Sequence, residues 1–349
     1  MFKEFINDNT ETQRGDLLIA SCTAGTYLSK QVVEQYRTLQ TNNEPLTYLE
    51  NIDYRFANTE TCVRLEEHVR GHDIFLFQSL CDPTGQSSVD QNYMAFLMAV
   101  RAFREHGASH ITGILPYLAY GRQDKPTEFK REPTSARLMA DLSIEAGIDR
   151  LITWHAHCGQ IRGFYGSIPT NMLDPLSLFI DRFQKFRGQD DVIAVAPDAG
   201  ASKLAMYFSQ AMDLDCAIGS KFRPRPDEAT LAQIVGDFSG KKTAIVVEDE
   251  LSTGGTLKNL FEVLTEENGI ESVYVGLSHN RCMPEARDRL LDLYDQGILK
   301  EIVVTDSMPQ TEDFENLPFL SICSLSDPLT RVINRIHNNR SVSEVFFKP

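Results

Sequence analysis

The sequence contains no C-x-x-C pair, and its seven cysteines (Cys22, Cys62, Cys81, Cys158, Cys216, Cys282, Cys323) are scattered and odd in number. Neither a disulfide framework nor a zinc site is signalled, and a reducing cytoplasm is the expected compartment. Apolar runs approaching the ~18 residues of a membrane span are also missing, and no basic start leads into an apolar stretch. Neither a membrane span nor a secretory signal is therefore expected. Excess positive charge is lacking too. With 49 acids against 34 Lys and Arg the chain carries a formal charge of −15, which argues against a broad nucleic-acid-binding face, because phosphate contacts need clustered bases. There is no fixed-period repeat and no low-complexity segment.

What is present is a regular alternation. Short apolar runs such as "DIFLFQSL", "HITGILPYL", "DVIAVAPDAG", "KKTAIVVED" and "SVYVGLSH" each precede a helix-period stretch. Strands alternating with helices predict an α/β fold with mainly parallel sheets flanked by helices. Glycines in "EHG", "EAG", "ENG" and "DQG" close helical stretches, supplying the left-handed turn that ends a helix. A length of 349 residues is more typical of two domains than one. A loose two-fold plan puts the boundary near "GSIPTNMLDP", giving domains 1–165 and 166–349.

In open parallel sheets, ligands sit at the carboxyl ends of strands. "VVEDELSTGGTL" places Glu248 and Asp249 at such an end, followed by Ser252, Thr253, Gly254, Gly255 and Thr256. Consecutive backbone N–H groups without bulky side chains, beside a helix N-terminus, suit a phosphate. The loop lacks the lysine of a Walker motif. Its two acids can accept hydrogen bonds from sugar hydroxyls or hold Mg²⁺ through water. In the helix that follows, Leu257, Leu260, Phe261 and Leu264 are predicted to share the buried face.

"PYLAYGRQDK" delivers Arg122, Gln123, Asp124 and Lys125 from one strand end, with Arg as a planar fork for phosphate and Lys as a point charge. "TWHAHCGQIRGF" sets His155 and His157 on one side of an extended segment, a spacing compatible with a metal, though no third ligand is recognisable. "VIAVAPDAGASKLA" repeats the pattern of strand, acid and small-residue loop with Asp198. "SKFRPRPDEA" carries Lys221, Arg223 and Arg225 among prolines and reads as a mobile basic loop, either an exposed linker or a lid over a polyphosphate.

Together these motifs, in order from about Phe56 to the C-terminus, resemble the ribose-phosphate pyrophosphokinase family. "FANTE" is similar to its F-S-D-G-E, "VRGHDIFLFQSLCDPT" to V-R-G-x-D-I-F-I-I-Q-S-T-x-x-P-T, and "PYLAYGRQDK" to P-Y-F-G-Y-A-R-Q-D-R/K. "REPTSARLMADL", "HAHCGQIRGFY", "PDAG", "KFRPRP", "EDELSTGGT" and "SVSEVF" follow in family order. The resemblance implies two tandem phosphoribosyltransferase-type (type I) domains, the last ~20 residues packing back on the first. It implies transfer of the β,γ-diphosphate of Mg-ATP to the anomeric hydroxyl of ribose 5-phosphate, with Mg²⁺ as cofactor. Arg122, Gln123 and Asp124 would then contact ATP, with Phe56, Asn58 and Glu60 reaching adenine from a neighbouring copy in a dimer-based, hexameric homo-oligomer. His157 and Asp198 would sit by the metal and the reacting groups, with Lys221 and Arg223 beside the transferring diphosphate. Glu248, Asp249 and Ser252 would line the ribose, and Thr253, Gly254, Gly255 and Thr256 the 5-phosphate. Regulation by ADP or inorganic phosphate is also a family trait.

The departures lie in or beside this site. Ser252 replaces the family's second loop acid, Glu248 lengthens its first, and Glu250 stands for Met, His155 for Asp, Phe222 for Arg and Asn58 for Asp. Ribose 5-phosphate and a larger acceptor such as ADP-ribose both stay open, and a non-catalytic synthetase-associated subunit is the third reading.

Overall fold

The computed structural model describes residues 14–39, 46–225, 228–343 and 345, and over 221–232 the backbone alone. Contacts divide these residues into two units: one up to Leu173 together with Ser324 onward, the other Asp174–Cys323.

In chain order the first unit comprises β1 (Leu17–Ser21), α1 (Thr26–Leu39), β2 (Leu46–Leu49), β3 (Asp53–Arg55), β4 (Thr61–Val63), β5 (Asp73–Phe77) and α2 (Val89–Glu105). It continues with β6 (His110–Ile114), α3 (Ser135–Ala146), β7 (Arg150–Trp154), α4 (Ile161–Phe164) and β8 (Thr170–Leu173). Six strands form a parallel sheet in the order β2-β1-β5-β6-β7-β8. β1 and β5 are buried at every residue. Unbroken apolar runs of this kind are what strands covered on both faces require. α2 starts with a reciprocal cap, Gln91 N donating to Ser88 Oγ at 3.2 Å and Ser88 N to Gln91 Oε1 at 2.9 Å. β3 and β4 form a separate antiparallel hairpin. β8 arises from "TNML", within the stretch read as the domain boundary.

The second unit runs α5 (Leu176–Phe183), β9 (Val192–Ala196), α6 (Ser202–Met212), β10 (Asp215–Arg225), β11 (Glu228–Val235), β12 (Thr243–Leu251) and α7 (Gly255–Glu262). Then come β13 (Ser272–Asn280), α8 (Pro284–Asp295), β14 (Leu299–Thr305), α9 (Glu312–Glu315) and β15 (Leu320–Cys323). Its sheet has the order β11-β10-β9-β12-β13-β14-β15, parallel except for the β10–β11 edge. Alternation along β12 splits the core. Ala244 and Val246 face α7 and α8, with Leu260, Phe261 and Leu290, while Ile245 and Val247 face α5 and α6, with Phe179, Phe183 and Phe208. All four residues placed on the inner face of the helix after the glycine loop are buried.

The segment "SKFRPRPDEA" corrects the sequence reading. The chain up to Arg225 continues β10 and Glu228 onward forms β11, so this is an antiparallel ribbon rather than a structureless loop; residues 226 and 227 lie outside the description. Pro224 is tolerated because the register skips between Phe222 and Arg225, where no ladder N–H is demanded.

Both sheets share one plan. The chain steps outward from β1 to β2, then returns to β1's other side at β5, and it does the same from β9 through β10 to β12. Each return creates a switch point, and a crevice at the strands' carboxyl ends.

The last helix, α10 (Ser326–His337), packs on α1, with Gln35 Nε2 donating to Asp327 Oδ1 at 2.9 Å and Asn334 Nδ2 to Tyr36 Oη at 3.3 Å. Asp73, fully buried at the start of β5, accepts from Arg14 Nε and Nη2, both at 2.9 Å, and lies 2.9 Å from His337 Nδ1. Burial alone would raise the Asp73 carboxyl, but the hydrogen bonds from His337 and Arg14 outweigh it and hold the carboxyl below its ordinary value. Its stabilising contribution is therefore present above pH ~4 and is lost as pH falls through the lowered value. Asp73→Ala leaves the Arg14 guanidinium and the His337 ring without their buried acceptor, and urea denaturation at pH 7 is expected to show a loss of about 3–5 kcal/mol. The difference from wild type should shrink on acidification.

Candidate functional site

The switch point of the second unit carries the acids. Glu248 and Asp249 lie near the carboxyl end of β12, which runs on to Leu251, and Asp198 follows β9. Burial, the adjacent charge of Asp249 and the nearby charge of Asp198 push the Glu248 carboxyl well above the usual range. The side chain lies back on the chain, Asp249 N donating to Glu248 Oε1 at 3.0 Å. Asp198 Oδ1 accepts from Gly200 N at 2.8 Å and from Ala201 N at 3.3 Å. Three carboxylates in one electrostatic neighbourhood favour a cation or sugar hydroxyls beside them.

The glycine loop follows at once. Gly254 caps α7 with φ 77°, a left-handed conformation that side chains disfavour, and a Cβ there would meet Ala286 Cα of α8 at 3.3 Å. Glycine at 254 thus lets the loop lie against α8 while its N–H groups gather at the helix N-terminus. Ser252 Oγ turns to Met283 Sδ at 3.3 Å. Glu250 points into the interior, 3.4 Å from Nε of the partly exposed Arg281, so this departure from the family pattern is met by an ion pair. Sequence reasoning missed Met283, Arg281 and Arg289, whose guanidinium donates to the Thr253 carbonyl. No motif marks these three residues, because α8 and β13 bring them in from a distance.

The corresponding turn of the first unit, after β5, is closed differently. Asp82 Oδ1 accepts from Thr84 N at 2.9 Å, Thr84 Oγ1 at 2.6 Å and Gly85 N at 3.0 Å. A carboxylate of the chain itself thus takes the N–H groups that an anion would otherwise use.

The first unit's candidate residues gather after β6 and β7. Ser135 Oγ donates to Gln123 Oε1 at 2.6 Å, tying that loop to the start of α3. Cys158 Sγ donates to Asp124 Oδ2 at 3.3 Å, and a side chain at Gly121 would meet His157 Cβ at 3.5 Å. Arg122, Gln123 and Asp124 are thereby brought beside His157, which is exposed. The shared strand face expected for His155 and His157 does not form: β7 ends at Trp154 and His155 takes φ 38°, turning the chain out of the sheet.

Phe56, Asn58 and Glu60 make their own turn at the tip of β3–β4. Asn58 Nδ2 donates to Glu60 Oε2 at 2.9 Å, Phe56 N to Glu60 O at 2.9 Å, and Phe56 is 48% exposed. Lys221 and Arg223 lie on β10, with their side chains outside the description. His157 and Asp198 belong to different units.

Paired parallel α/β units, one with an acid-lined switch point and a backbone anion loop, define a protein that handles phosphorylated sugars or nucleotides. Residues 17–147 match the N-terminal domain of ribose phosphate pyrophosphokinase, and residues 191–347 match the phosphoribosyl synthetase-associated domain. The chain is 33% identical over 293 residues to the ribose-phosphate pyrophosphokinase of Marinomonas sp. (strain MWYL1), covering 84% of this chain and 89% of that one. It is 33% identical over 329 residues to that of Hyphomonas neptunium, covering 94% and 99%. The crystal structure of phosphoribosylpyrophosphate synthetase from Mycobacterium smegmatis superposes with a TM-score of 0.79 at 30% identity, covering 93% of this chain and 99% of that one. The chain belongs to the ribose-phosphate pyrophosphokinase family, whose members are diphosphotransferases. Among the described residues no helix is long and apolar enough to cross a membrane.

Proposed function

We propose that the chain transfers the β,γ-diphosphate of ATP to the C1 hydroxyl of ribose 5-phosphate, giving phosphoribosyl pyrophosphate and AMP. The observation that carries this reading is the second unit's switch point, where two carboxylates near the carboxyl end of β12 precede a glycine turn that opens α7. In balance, the C1 oxygen forms a bond to the β-phosphorus, the bond from that phosphorus to the α,β-bridging oxygen breaks, AMP leaves and the hydroxyl proton passes to water. Such transfer depends on positioning and charge neutralisation rather than on a covalent nucleophile.

We assign ATP to the first unit, through Arg122, Gln123 and Asp124, and the acceptor to the second. There Glu248 and Asp249 hold the ribose hydroxyls and Thr253 to Thr256 the 5-phosphate. We assign Phe56, half exposed on its hairpin with Asn58 and Glu60, to adenine in another copy of a homo-oligomer.

The oxygen-rich donor set fits Mg²⁺. Asp198 would hold it on the second unit, and His157 on the first is the other candidate. Among the described residues no three His, Cys, Asp or Glu side chains form a cage of their own. When bound, Mg²⁺ supplies charge neutralisation on the polyphosphate.

The test is AMP release from Mg-ATP with ribose 5-phosphate, ADP-ribose or no acceptor. Release that depends on ribose 5-phosphate and stops with EDTA supports the reading. Release with ADP-ribose alone moves the acceptor to a nucleotide-linked ribose, and release with neither refutes transfer.

A further inference from the structure

The glycine loop contains no cation: between Ser252 and Thr256 there is no Lys or Arg, and the residues just upstream are three acids, Glu248, Asp249 and Glu250. A dianionic 5-phosphate held there by backbone alone would face like charge. Among the described residues, a positive group reaches the loop from α8. Arg289 Nη1 donates to the Thr253 carbonyl and lies 3.8 Å from the position a Gly255 Cβ would take. Neighbouring arginines are committed elsewhere, Arg287 to Asp288 and Asp313, and Arg281 to Glu250. Among the described residues no carboxylate pairs with Arg289.

We propose that Arg289 is a positioning residue for the 5-phosphate, acting through the peptide between Thr253 and Gly254; this rests on the assignment of that loop to ribose 5-phosphate. In a planar trans peptide the C=O and N–H point in opposite directions. Holding the Thr253 oxygen against α8 therefore turns the Gly254 N–H away from α8 and toward the helix N-terminus where the phosphate binds. A charged donor on the carbonyl also polarises the peptide and strengthens its N–H as a donor. Ala286, one turn earlier on α8, backs Gly254 at a distance that only glycine allows. The guanidinium thus supplies from behind the loop the charge that the loop's own sequence lacks.

The experiment compares wild type with Arg289→Lys, Arg289→Gln and Arg289→Ala, using ribose 5-phosphate and, separately, unphosphorylated ribose as acceptors. Arg289→Ala is expected to raise KM for ribose 5-phosphate roughly tenfold or more, with KM for ATP and the thermal midpoint close to wild type. Arg289→Lys should recover part of the loss and Arg289→Gln less, because glutamine keeps a donor without the charge. With ribose, which has no 5-phosphate, all four proteins should behave alike. An unchanged KM for ribose 5-phosphate in all three variants overturns the proposal, as does an equal loss with ribose. A wild type that does not use ribose 5-phosphate at all instead overturns the assignment of the loop, and the role of Arg289 with it.

Discussion

Gly254→Val is expected to lower kcat/KM for ribose 5-phosphate by about a hundredfold or more, the scale of losing a preorganised backbone donor set, while KM for ATP stays near wild type. The cause is local. Residue 254 sits at φ 77°, and a Cβ there would stand 3.3 Å from Ala286 Cα, a backbone atom that cannot swing aside. Valine adds branching to a conformation that costs even alanine ~1–2 kcal/mol, so the loop must leave α8 and its N–H groups must scatter. Steady-state kinetics with each substrate varied in turn measures the split, and circular dichroism checks that the fold survives. A variant with wild-type acceptor kinetics would show that the 5-phosphate binds elsewhere.

Lys221→Ala is expected to reduce kcat by about a thousandfold with little change in either KM. A cation beside a transferring diphosphate acts mainly on the charge that develops during transfer, and such groups contribute on the order of 10³ or more. Along the backbone, the β10–β11 register breaks between Ser220 and Lys221. Lys221→Arg should keep part of the activity. Turnover that survives Lys221→Ala would remove the basic ribbon from the chemistry. A wild type without turnover would favour the non-catalytic associated subunit.

Much of the fold was legible because burial leaves a direct trace in sequence. Strands covered on both faces read as unbroken apolar runs, as in "IFLF" and "VIAVA". The inner face of α7 and of the turn that continues it appears as Leu257, Leu260, Phe261 and Leu264 at helical spacing. The turn into α7 was legible as well, since Gly254 takes the left-handed conformation that glycine favours. The basic ribbon was misread because prolines, which usually end a strand, sit where the ladder is already interrupted. The two histidines were placed on one strand face by a period that stops at Trp154. Contacts that join distant segments left no sequence signal: Arg289 with Thr253, Glu250 with Arg281, and Asp73 with both Arg14 and His337. Each depends on which segments the sheet order brings side by side.

The most direct test of the central claim is mass spectrometry of the acceptor after incubation of the purified protein with Mg-ATP and ribose 5-phosphate. The account predicts a product heavier by one diphosphate and an equal amount of AMP. ADP formation, or AMP release without any gain on the sugar, would contradict it.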